Sequence, residues 1–310
     1  MIKHVVSVSG GKDSTATLLL AMENCIRENV LPIFCDTGNE HQAVYDYLAD
    51  LEQALDITIT RLKADFSEQI ARKRMFIARD QRKGRKDGKR LRWSNKAKRR
   101  ALAVLYPSGN PFLDLCLWKG RFPSRKAQFC TEELKRNMAV EFQLELVDAG
   151  YQVLSWQGVR RDESESRKNA KKFERIGGGI WTFRPIVEWT ALETFSFAKS
   201  RNIQSNPLYT QGMGRVGCMP CINARKSEVL EISKRFPEHI ERIAEWERLV
   251  AAASKRGIST FFAAPNMTNR EASKQTIDTV VQWSKTTRGG KQFDLLGNLS
   301  EPTACASAYG

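Results

Sequence analysis

Short apolar stretches typical of buried strands alternate along the chain with longer stretches whose apolar residues recur at helical spacing. The first unit is a β-branched run at 4–8, a glycine-rich break at 9–14 and an alanine- and leucine-rich stretch at 15–25. The same order continues with predicted strands at 31–35, 57–62 and 153–156 and predicted helices at 40–55 and 192–201. This alternation predicts an α/β fold, an open parallel sheet with helices on both faces.

A different pattern follows the cysteine pair at 218 and 221. Between Val229 and Val250 apolar residues recur every three or four positions, with an interruption near Pro237. This spacing is typical of two amphipathic helices that pack one face against a core. We therefore predict an α/β domain at 1–215, and a helical region at 216–310 that carries the cysteine pair and a cysteine-bearing tail.

The composition is that of a protein with a substantial core. The chain has 310 residues, of which 41% are hydrophobic, and this excludes a disulfide-dependent miniprotein and a disordered chain. The first residues lack the long apolar stretch of a signal peptide, and no run of about 18 apolar residues occurs. We therefore expect a cytoplasmic protein with no membrane partner.

The positive charge is concentrated in one segment. Lys and Arg number 50 against 35 acidic residues, which gives a formal net charge of +15. The segment from Arg72 to Arg100 contains 15 of these cations and only two carboxylates, Asp80 and Asp87. With Phe76 and Trp93 interleaved, it has the composition of a surface that contacts a nucleic-acid backbone without sequence preference. The alternative is a solvated, mobile insertion.

The break between the first strand and helix has the composition of a phosphate-binding loop. It reads Ser9-Gly10-Gly11-Lys12-Asp13-Ser14. Glycines allow backbone N–H groups to approach phosphate oxygens, the helix N-terminus adds partial positive charge, and the lysine and serines add donors. The spacing is not that of a Walker A loop. The alternative interpretation is a glycine turn with a capping serine.

Three further polar residues are candidates for nucleotide binding. Asp36 ends the second strand, where an open α/β sheet binds its ligand, and could accept from ribose or adenine. It could equally cap the following turn. Arg160 and Arg167 could hold phosphate or sulfate through two parallel hydrogen bonds, or pair with Glu163 and Glu165 on a solvated helix.

The loop resembles the PP-loop of the adenine-nucleotide alpha hydrolase-like group, which includes N-type ATP pyrophosphatases and phosphoadenosine phosphosulfate (PAPS) reductases. The resemblance covers residues from about 4 to about 230 and includes five further runs. They are Asp36-Thr37-Gly38-Asn39-Glu40, Cys130-Thr131-Glu132-Glu133-Leu134-Lys135, Gly158-x-Arg160-x-x-Glu163-Ser164-x-x-Arg167, Asn206-Pro207-Leu208-Tyr209 and Gly217-Cys218-Met219-Pro220-Cys221. Together they resemble PAPS reductase family proteins of phages and of DNA phosphorothioation systems.

The resemblance implies a Rossmann-like PP-loop fold and a set of site residues. Lys12 and Asp13 would be catalytic. The nucleotide would be bound by residues 9–14 together with Asp36, Gly158, Arg160 and Arg167. Reductases of PAPS and of adenosine phosphosulfate (APS) have a degenerate loop, whereas the complete loop here resembles the version that splits ATP between its α and β phosphates.

The resemblance therefore implies an enzyme that uses ATP and Mg2+ to adenylate a substrate for sulfur transfer. Nucleic acid is the expected substrate, and a separate protein is a possible sulfur donor. One alternative is an APS or PAPS reductase of sulfate assimilation. A second is a nucleic-acid-binding partner that retains the fold without catalysis.

The chain has seven cysteines, an odd number, and in a reducing compartment we expect metal ligands or redox thiols instead of disulfides. By itself the pair Cys218 and Cys221 fits half of a metal site, a redox dithiol or chance. Relatives in the family often carry a 4Fe-4S cluster, and the resemblance implies Cys130, Cys218 and Cys221 as three of its ligands.

A fourth thiolate would complete the cluster. We prefer Cys305, because a thiol in the tail can fold back onto a metal site, and keep Cys116 as the alternative. Cys305 is also a candidate terminal redox thiol. We expect Cys25 and Cys35 to lie in the core.

The chain has only three histidines, His4, His41 and His239. None is close in sequence to the cysteine pair. A zinc site of two cysteines and two histidines therefore has little support.

Overall fold

The fold is described by a computed structural model that covers residues 1–86, 88–262, 271 and 273–287. Its centre is a six-stranded sheet with the strand order β3-β2-β1-β6-β8-β7. The strands are β1 (Ile2–Ser7), β2 (Val30–Asp36), β3 (Thr60–Lys63), β6 (Gln152–Trp156), β7 (Phe173–Gly177) and β8 (Ile180–Phe183). A separate two-stranded hairpin consists of β4 (Arg85–Lys86) and β5 (Lys89–Arg90).

Neighbouring strands of the sheet are parallel except at one edge, where β7 is antiparallel to β8. The helices are α1 (Lys12–Asn24), α2 (Gln42–Leu55), α3 (Ser67–Arg79), α4 (Asn95–Val104), α5 (Pro111–Lys119), α6 (Phe129–Thr131), α7 (Asn137–Asp148), α8 (Ala191–Lys199), α9 (Lys226–Arg235), α10 (Pro237–Ala253) and α11 (Ile277–Ser284). A π-helical turn at Glu132–Arg136 joins α6 to α7. None of the helices in the described part of the chain is long and apolar enough to cross a membrane.

Alternation along the strands sends adjacent side chains to opposite faces of the sheet. Val5 and Ile33 pack on one face with Phe142 of α7. Val6 and Phe34, the next residues along the two strands, belong to the larger core cluster on the other face, which includes residues of α1, α2 and α8. The predicted α/β sheet with helices on both faces is therefore confirmed.

Some boundaries differ from the sequence patterns. The third strand covers Thr60–Lys63 and not 57–62, and the antiparallel β7–β8 hairpin was not predicted. The two C-terminal amphipathic helices are confirmed as α9 and α10, and the break falls between Arg235 and Pro237. The larger of the two clusters of buried side chains extends from Val6 to Val281. The division of the chain at residue 215 stays a prediction.

The basic segment is folded: it forms α3, the β4–β5 hairpin and α4. Asp80 holds the base of the hairpin, because its fully buried carboxylate accepts from Arg82 Nε and from the backbone N–H of Trp93, both at 2.8 Å. Trp93 is itself buried, so the expectation that its ring is available to nucleic acid is wrong. Residue 87 and the side chains of Lys89 and Arg90 lie outside the described part of the structure.

Four cations of this segment bind the carbonyl groups that are left unpaired at the C-terminal ends of helices. The donors and acceptors are Lys73 to Leu117 O at α5, Arg74 to Leu102 O and Leu105 O at α4, Lys98 to Ala78 O and Asp80 O at α3, and Arg100 to Ala252 O and Ser254 O at α10. Such contacts satisfy orphan carbonyls and oppose the negative end of the helix dipole. These four side chains therefore stabilise the fold.

Other cations of the segment are exposed and have no hydrogen-bond or ion-pair partner within the described residues. We call them the free cations: Arg79, Lys83, Arg85, Lys86, Arg92, Lys96 and Arg99. Among the described side chains of the segment, these seven remain available to an external anion.

Replacement of Arg100 by alanine tests the stabilising role of the helix-end cations. The change removes charged hydrogen bonds to the last turn of α10, so we expect the free energy of unfolding to fall by about 1.5 to 3 kcal/mol. The neighbouring Arg99 is the matched control, because it is exposed and lacks a partner in the described structure. Urea denaturation should show an effect for Arg100→Ala and none for Arg99→Ala; equal effects would contradict the assignment.

Candidate nucleotide and thiol site

The glycine-rich loop leaves the carboxyl end of β1 and opens α1. Gly10 has a φ of +72°, in the region that favours glycine, and a Cβ there would also lie 3.1 Å from Val44. Gly11 is the N-cap of α1, and no serine caps the helix. The alternative interpretation, a turn with a capping serine, is therefore wrong. The first backbone N–H of the helix, that of Lys12, donates to the side chain of Tyr209 instead.

The two serines of the loop bind each other. Ser9 N–H donates to Ser14 Oγ at 3.0 Å, and Ser14 Oγ donates to Gly11 O at 2.9 Å. Because Ser14 is buried, these bonds hold the loop in its turn from the inside. A direct contact of Ser9 or Ser14 with phosphate stays a prediction.

Lys12 lies over two aromatic rings. Its Nζ is 5.7 Å from the Phe195 ring centroid and 5.5 Å from the Tyr209 centroid, and its backbone N–H donates to Tyr209 Oη at 3.0 Å. Tyr209 comes from the Asn206–Tyr209 run, to which the sequence assigned no role. This contact between residues 197 positions apart has no signal in local sequence pattern.

A buried ion pair joins the loop to the end of β6. Arg160 Nε donates to Asp13 Oδ1 at 2.6 Å, and Arg160 also pairs with Asp162. Arg160 is only 3% exposed, so the prediction that it lies on a solvated helix is wrong. The contact needs Gly158, because a Cβ at that position would lie 2.8 Å from the Asp13 carbonyl carbon and oxygen.

Further cations surround this pair. Burial lowers the pKa of Arg167, and the nearby charges of Arg215 and Arg160 lower it further, while Asp13 opposes them. Arg167 also pairs with Glu163, as one of the two interpretations expected. Lys12 Nζ lies 3.6 Å from Asp13 Oδ2. Four cations, Lys12, Arg160, Arg167 and Arg215, thus lie near the start of α1 against three carboxylates, Asp13, Asp162 and Glu163. The small excess of positive charge is one that an anionic ligand would neutralise.

Asp36 lies where expected, at the carboxyl end of β2, but its Oδ1 is occupied. It accepts from Gly38 N–H at 2.9 Å and from Tyr45 Oη at 2.8 Å. The turn-capping interpretation therefore describes its present contacts. The carboxylate also lines a cavity of about 450 Å³ together with Lys63, Asn110 and Arg242, so a role in ligand binding stays a prediction.

The structure brings Cys130, Cys218 and Cys221 together. Burial raises the pKa of Cys130, and the charge of Cys221 raises it further. Burial raises the pKa of Cys218 to about 12, with Lys135 acting in the opposite direction. The charge of Cys218 in turn raises the pKa of Lys135 above its ordinary value, against the effect of burial.

The two cysteines of the pair have different environments. Cys218 Sγ is 3.5 Å from Thr37 Oγ1 and 3.6 Å from Glu40 Oε1. Cys221 Sγ accepts from Arg215 Nη2 and from the backbone N–H of Asn223, both at 3.5 Å. Arg215 therefore touches the thiol group and lies near Arg167, which is itself influenced by Asp13 of the loop, so the two candidate sites are adjacent.

This donor set has the chemistry of a metal centre with thiolate ligands. A tetrahedral zinc site requires sulfurs about 3.8 Å apart, from Zn–S bonds of about 2.3 Å. Among the described residues, the three thiols do not form a group with all ligand atoms within 4.8 Å. A 4Fe-4S cluster places metal atoms between its thiolates and spaces them more widely. The chemistry of three thiols beside a lysine therefore fits such a cluster.

The fourth ligand is not settled by these contacts. Cys116 is completely buried, and burial followed by the charge of Cys130 raises its pKa. Cys35 donates to Lys135 O at 3.5 Å, and burial raises its pKa to about 11. Cys25 is half-buried and packs against the core, as expected. Cys305 lies outside the described residues.

A histidine does lie close to the cysteine pair in space. His239 Nδ1 is 3.0 Å from Met219 O and 2.7 Å from Arg242 Nη2, and its ring stacks on His41 at 5.1 Å. With Glu238 the two histidines form a group of potential metal ligands within 4.8 Å. Their distance from the cysteine pair along the sequence therefore did not indicate how close these histidines lie to it in space.

The hydrogen bonds fix the tautomer of one of these histidines. His41 Nδ1 accepts from Ala43 N–H at 3.0 Å, which places the proton of the neutral ring on Nε2. His239 Nδ1 contacts both Met219 O, which can only accept, and Arg242 Nη2, which can only donate. The neutral His41 ring therefore has no lone pair at Nε2 for a metal.

Known proteins were compared with the chain. The family model described as "phosphoadenosine phosphosulfate reductase domain" matches residues 3–224. An uncharacterized 37.8 kDa protein of Escherichia phage 186 is 46% identical, over 99% of this chain and 95% of its own length. An uncharacterized protein of Methanocaldococcus jannaschii is 24% identical over 79% of this chain, which spans only 41% of that protein. The crystal structure of a PAPS reductase from Candida auris covers 71% of this chain and 82% of its own at 16% identity, with a TM-score of 0.43.

Replacement of Gly158 by alanine tests the contact between β6 and the loop. The new methyl group collides with the backbone of Asp13, so we expect a loss of about 1 to 3 kcal/mol in the free energy of unfolding. Gly214→Ala is the control, because a Cβ at Gly214 meets no atom within 4 Å. Denaturation curves that show no difference between the two variants would contradict the close approach.

Proposed function

Because the chain belongs to the phosphoadenosine phosphosulfate reductase family, we propose that its loop at 9–14 binds the phosphates of ATP and that the protein is an ATP pyrophosphatase-type enzyme. In this proposal it adenylates a substrate, nucleic acid in the first instance, for sulfur transfer. The observation that carries the proposal is the group of cations, Lys12, Arg160 and Arg167, around the N-terminus of α1, where the N-cap residue is a glycine.

The proposed reaction is an attack by a substrate oxygen on the α phosphorus of ATP. A bond forms between that oxygen and the α phosphorus, the bond to the bridging oxygen breaks, and pyrophosphate leaves with the electron pair. Lys12 and the N–H groups at the start of α1 would stabilise the charge of the departing pyrophosphate. A sulfur nucleophile from the donor then displaces AMP from the activated substrate.

Asp13 has two tasks in this proposal. One oxygen orients Arg160, which is buried and fixed for contact with a phosphate. The carboxylate would also hold Mg2+ together with the nucleotide phosphates, and Mg2+ would neutralise charge on the leaving group. Gly158 would allow β6 to approach the loop closely enough for these contacts.

The three thiols would hold a 4Fe-4S cluster next to the nucleotide. Cys130, Cys218 and Cys221 would be three ligands, and Cys305 or Cys116 the fourth. The contact of Arg215 with Cys221 supports the adjacency of the two sites. The family's own name supports the alternative, an APS or PAPS reductase, which would take two electrons from a thiol reductant, release sulfite from the nucleotide and consume no ATP.

Nucleic acid is proposed as the substrate on the basis of the free cations. They are exposed on α3, the β4–β5 hairpin and α4, and they have no acidic partners in the described structure. An anionic backbone would supply the missing counter-charge. Should the protein bind nucleic acid tightly with no turnover beside its sulfur donor, the second alternative, a non-catalytic binding partner, would apply.

The nucleotide proposal predicts that Lys12→Ala weakens the binding of Mg2+ and ATP. The variant has no ammonium group to bind the phosphate, which corresponds to about 1 to 3 kcal/mol of binding free energy. Lys3→Ala is the control. Lys3 is in β1, at the amino end of the strand, and the loop follows the carboxyl end. Isothermal calorimetry measures both; an unchanged affinity in Lys12→Ala would rule the loop out as the phosphate site.

The nucleic-acid proposal predicts a salt-dependent loss of affinity when five free cations, Lys83, Arg85, Lys86, Arg92 and Lys96, are replaced by glutamine. The slope of log affinity against log salt should become shallower by up to about 0.9 for each duplex DNA phosphate that the variant no longer neutralises. ATP affinity should not change. The control replaces five exposed cations outside the segment, namely Arg125, Lys126, Lys199, Lys234 and Lys285. Equal slopes for the two variants would identify the segment as a solvated insertion.

The cluster proposal predicts that protein prepared anaerobically is brown and absorbs light at about 400 nm. Cys218→Ser should lose this absorption, and Cys25→Ser should retain it. Cys305→Ser and Cys116→Ser identify the fourth ligand, because only one of them should lose the cluster. Stoichiometric zinc without sulfide in the wild-type protein would refute the assignment.

A further inference from the structure

An aromatic row crosses the sheet and ends at its exposed edge. Phe173 of β7 stacks on Trp181 of β8 with ring centroids 5.1 Å apart and an interplanar angle of 25°. The row continues inward through Phe183, whose ring meets Trp156 of β6 at 4.7 Å. Trp156 is 5% exposed whereas Phe173 is 52% exposed. The row therefore starts in the core and ends in a phenylalanine ring that is open to solvent.

An exposed aromatic residue on an edge strand is a liability unless a ligand covers it. Cations surround this one. Lys171 and Lys172 directly precede β7, are exposed and have no side-chain partner within the described residues. The guanidinium of Arg175 lies 5.6 Å from the centroid of the Trp181 ring. The acidic residue of the strand, Glu174, is paired with Arg184.

The topology places this group on the same side of the sheet as the phosphate loop. Because β7 is antiparallel, its first residue, Phe173, pairs with the last residue of β8, Phe183. Phe183 also pairs with Trp156, the last residue of β6, and Gly158 and Arg160 follow directly. Phe173 is thus at the carboxyl edge of the parallel strands, where α/β sheets bind ligands.

The free cations follow β3, the strand at the opposite edge of the sheet. Five inter-strand spacings of about 4.8 Å separate the two edges by about 24 Å, with the phosphate loop after β1 between them. The two edge strands thus lie on either side of β1, the strand that leads into the nucleotide site.

We propose that Phe173, supported by Trp181, is a stacking platform for an unpaired base of a single-stranded nucleic acid, and that Lys171 and Lys172 hold the phosphates beside that base. This inference rests on the proposed nucleic-acid substrate and names its single-stranded form. Bases of any identity stack on an aromatic face, and lysines beside it bind the backbone. In a duplex the bases are covered by their neighbours, so a platform of this kind selects single strands.

The test compares a fluorescently labelled DNA strand with its duplex, by anisotropy, on the full chain. Phe173→Ala should weaken binding of the single strand by about 5- to 150-fold, the effect of removing one stacked base, while Phe173→Trp should retain it. Duplex affinity should change little. The double variant Lys171→Gln and Lys172→Gln should make the single-strand salt slope shallower by up to about 0.7 for each phosphate that is no longer neutralised.

Ile176→Ala is the matched control, because Ile176 is on the same edge strand and is 60% exposed, but has no ring. Equal losses of affinity in Ile176→Ala and Phe173→Ala would overturn the platform, because they would show that the aromatic ring of Phe173 has no special role in the contact. Unchanged single-strand binding in Phe173→Ala would also overturn it, while the five-cation variant would still report on nucleic-acid binding as such. If the wild-type protein binds neither form of DNA or RNA, the proposed substrate fails together with the platform.

Discussion

The ion pair between Arg160 and Asp13 is the contact on which the candidate site depends. It joins the end of β6 to the first turn of α1, and Arg160 is almost completely buried. Removal of one partner of such a pair leaves an uncompensated buried charge and costs about 3 to 5 kcal/mol. The contact is possible only because Gly158 has no side chain. Phosphate-loop geometry is thus set by a residue distant in sequence.

Contacts within the protein also determine which of its positive charges remain for a ligand. Within the basic segment, some cations satisfy the carbonyl groups at helix ends and others have no partner in the described structure. A count of charges treats the two classes alike, although only the second can bind an external anion. The excess that remains after the internal contacts is what an anionic substrate would neutralise.

Local pattern was sufficient to predict the sheet, the loop between β1 and α1, and the break before Pro237, because each depends on neighbouring residues. Pairings across long separations were not predictable. Asp13 gave no sign of its partner Arg160, and the contact of His239 with Met219 arises only from the packing of α10. The hydrophobic pattern did not reveal α4, because the buried face of this helix consists of two small residues, Ala97 and Ala101, among many cations. The hairpin formed by β7 and β8 had a usable signal, the glycines between Ile176 and Ile180.

In the proposed reaction the loop positions ATP for cleavage between its α and β phosphates. The most direct measurement is the identity of the products when ATP labelled in the α phosphate is incubated with Mg2+, the protein and a single-stranded nucleic acid. We expect labelled AMP to be joined to the acceptor and pyrophosphate to be released, and we expect labelled pyrophosphate to exchange into ATP. Formation of ADP and phosphate, or release of sulfite from APS or PAPS without consumption of ATP, would contradict it.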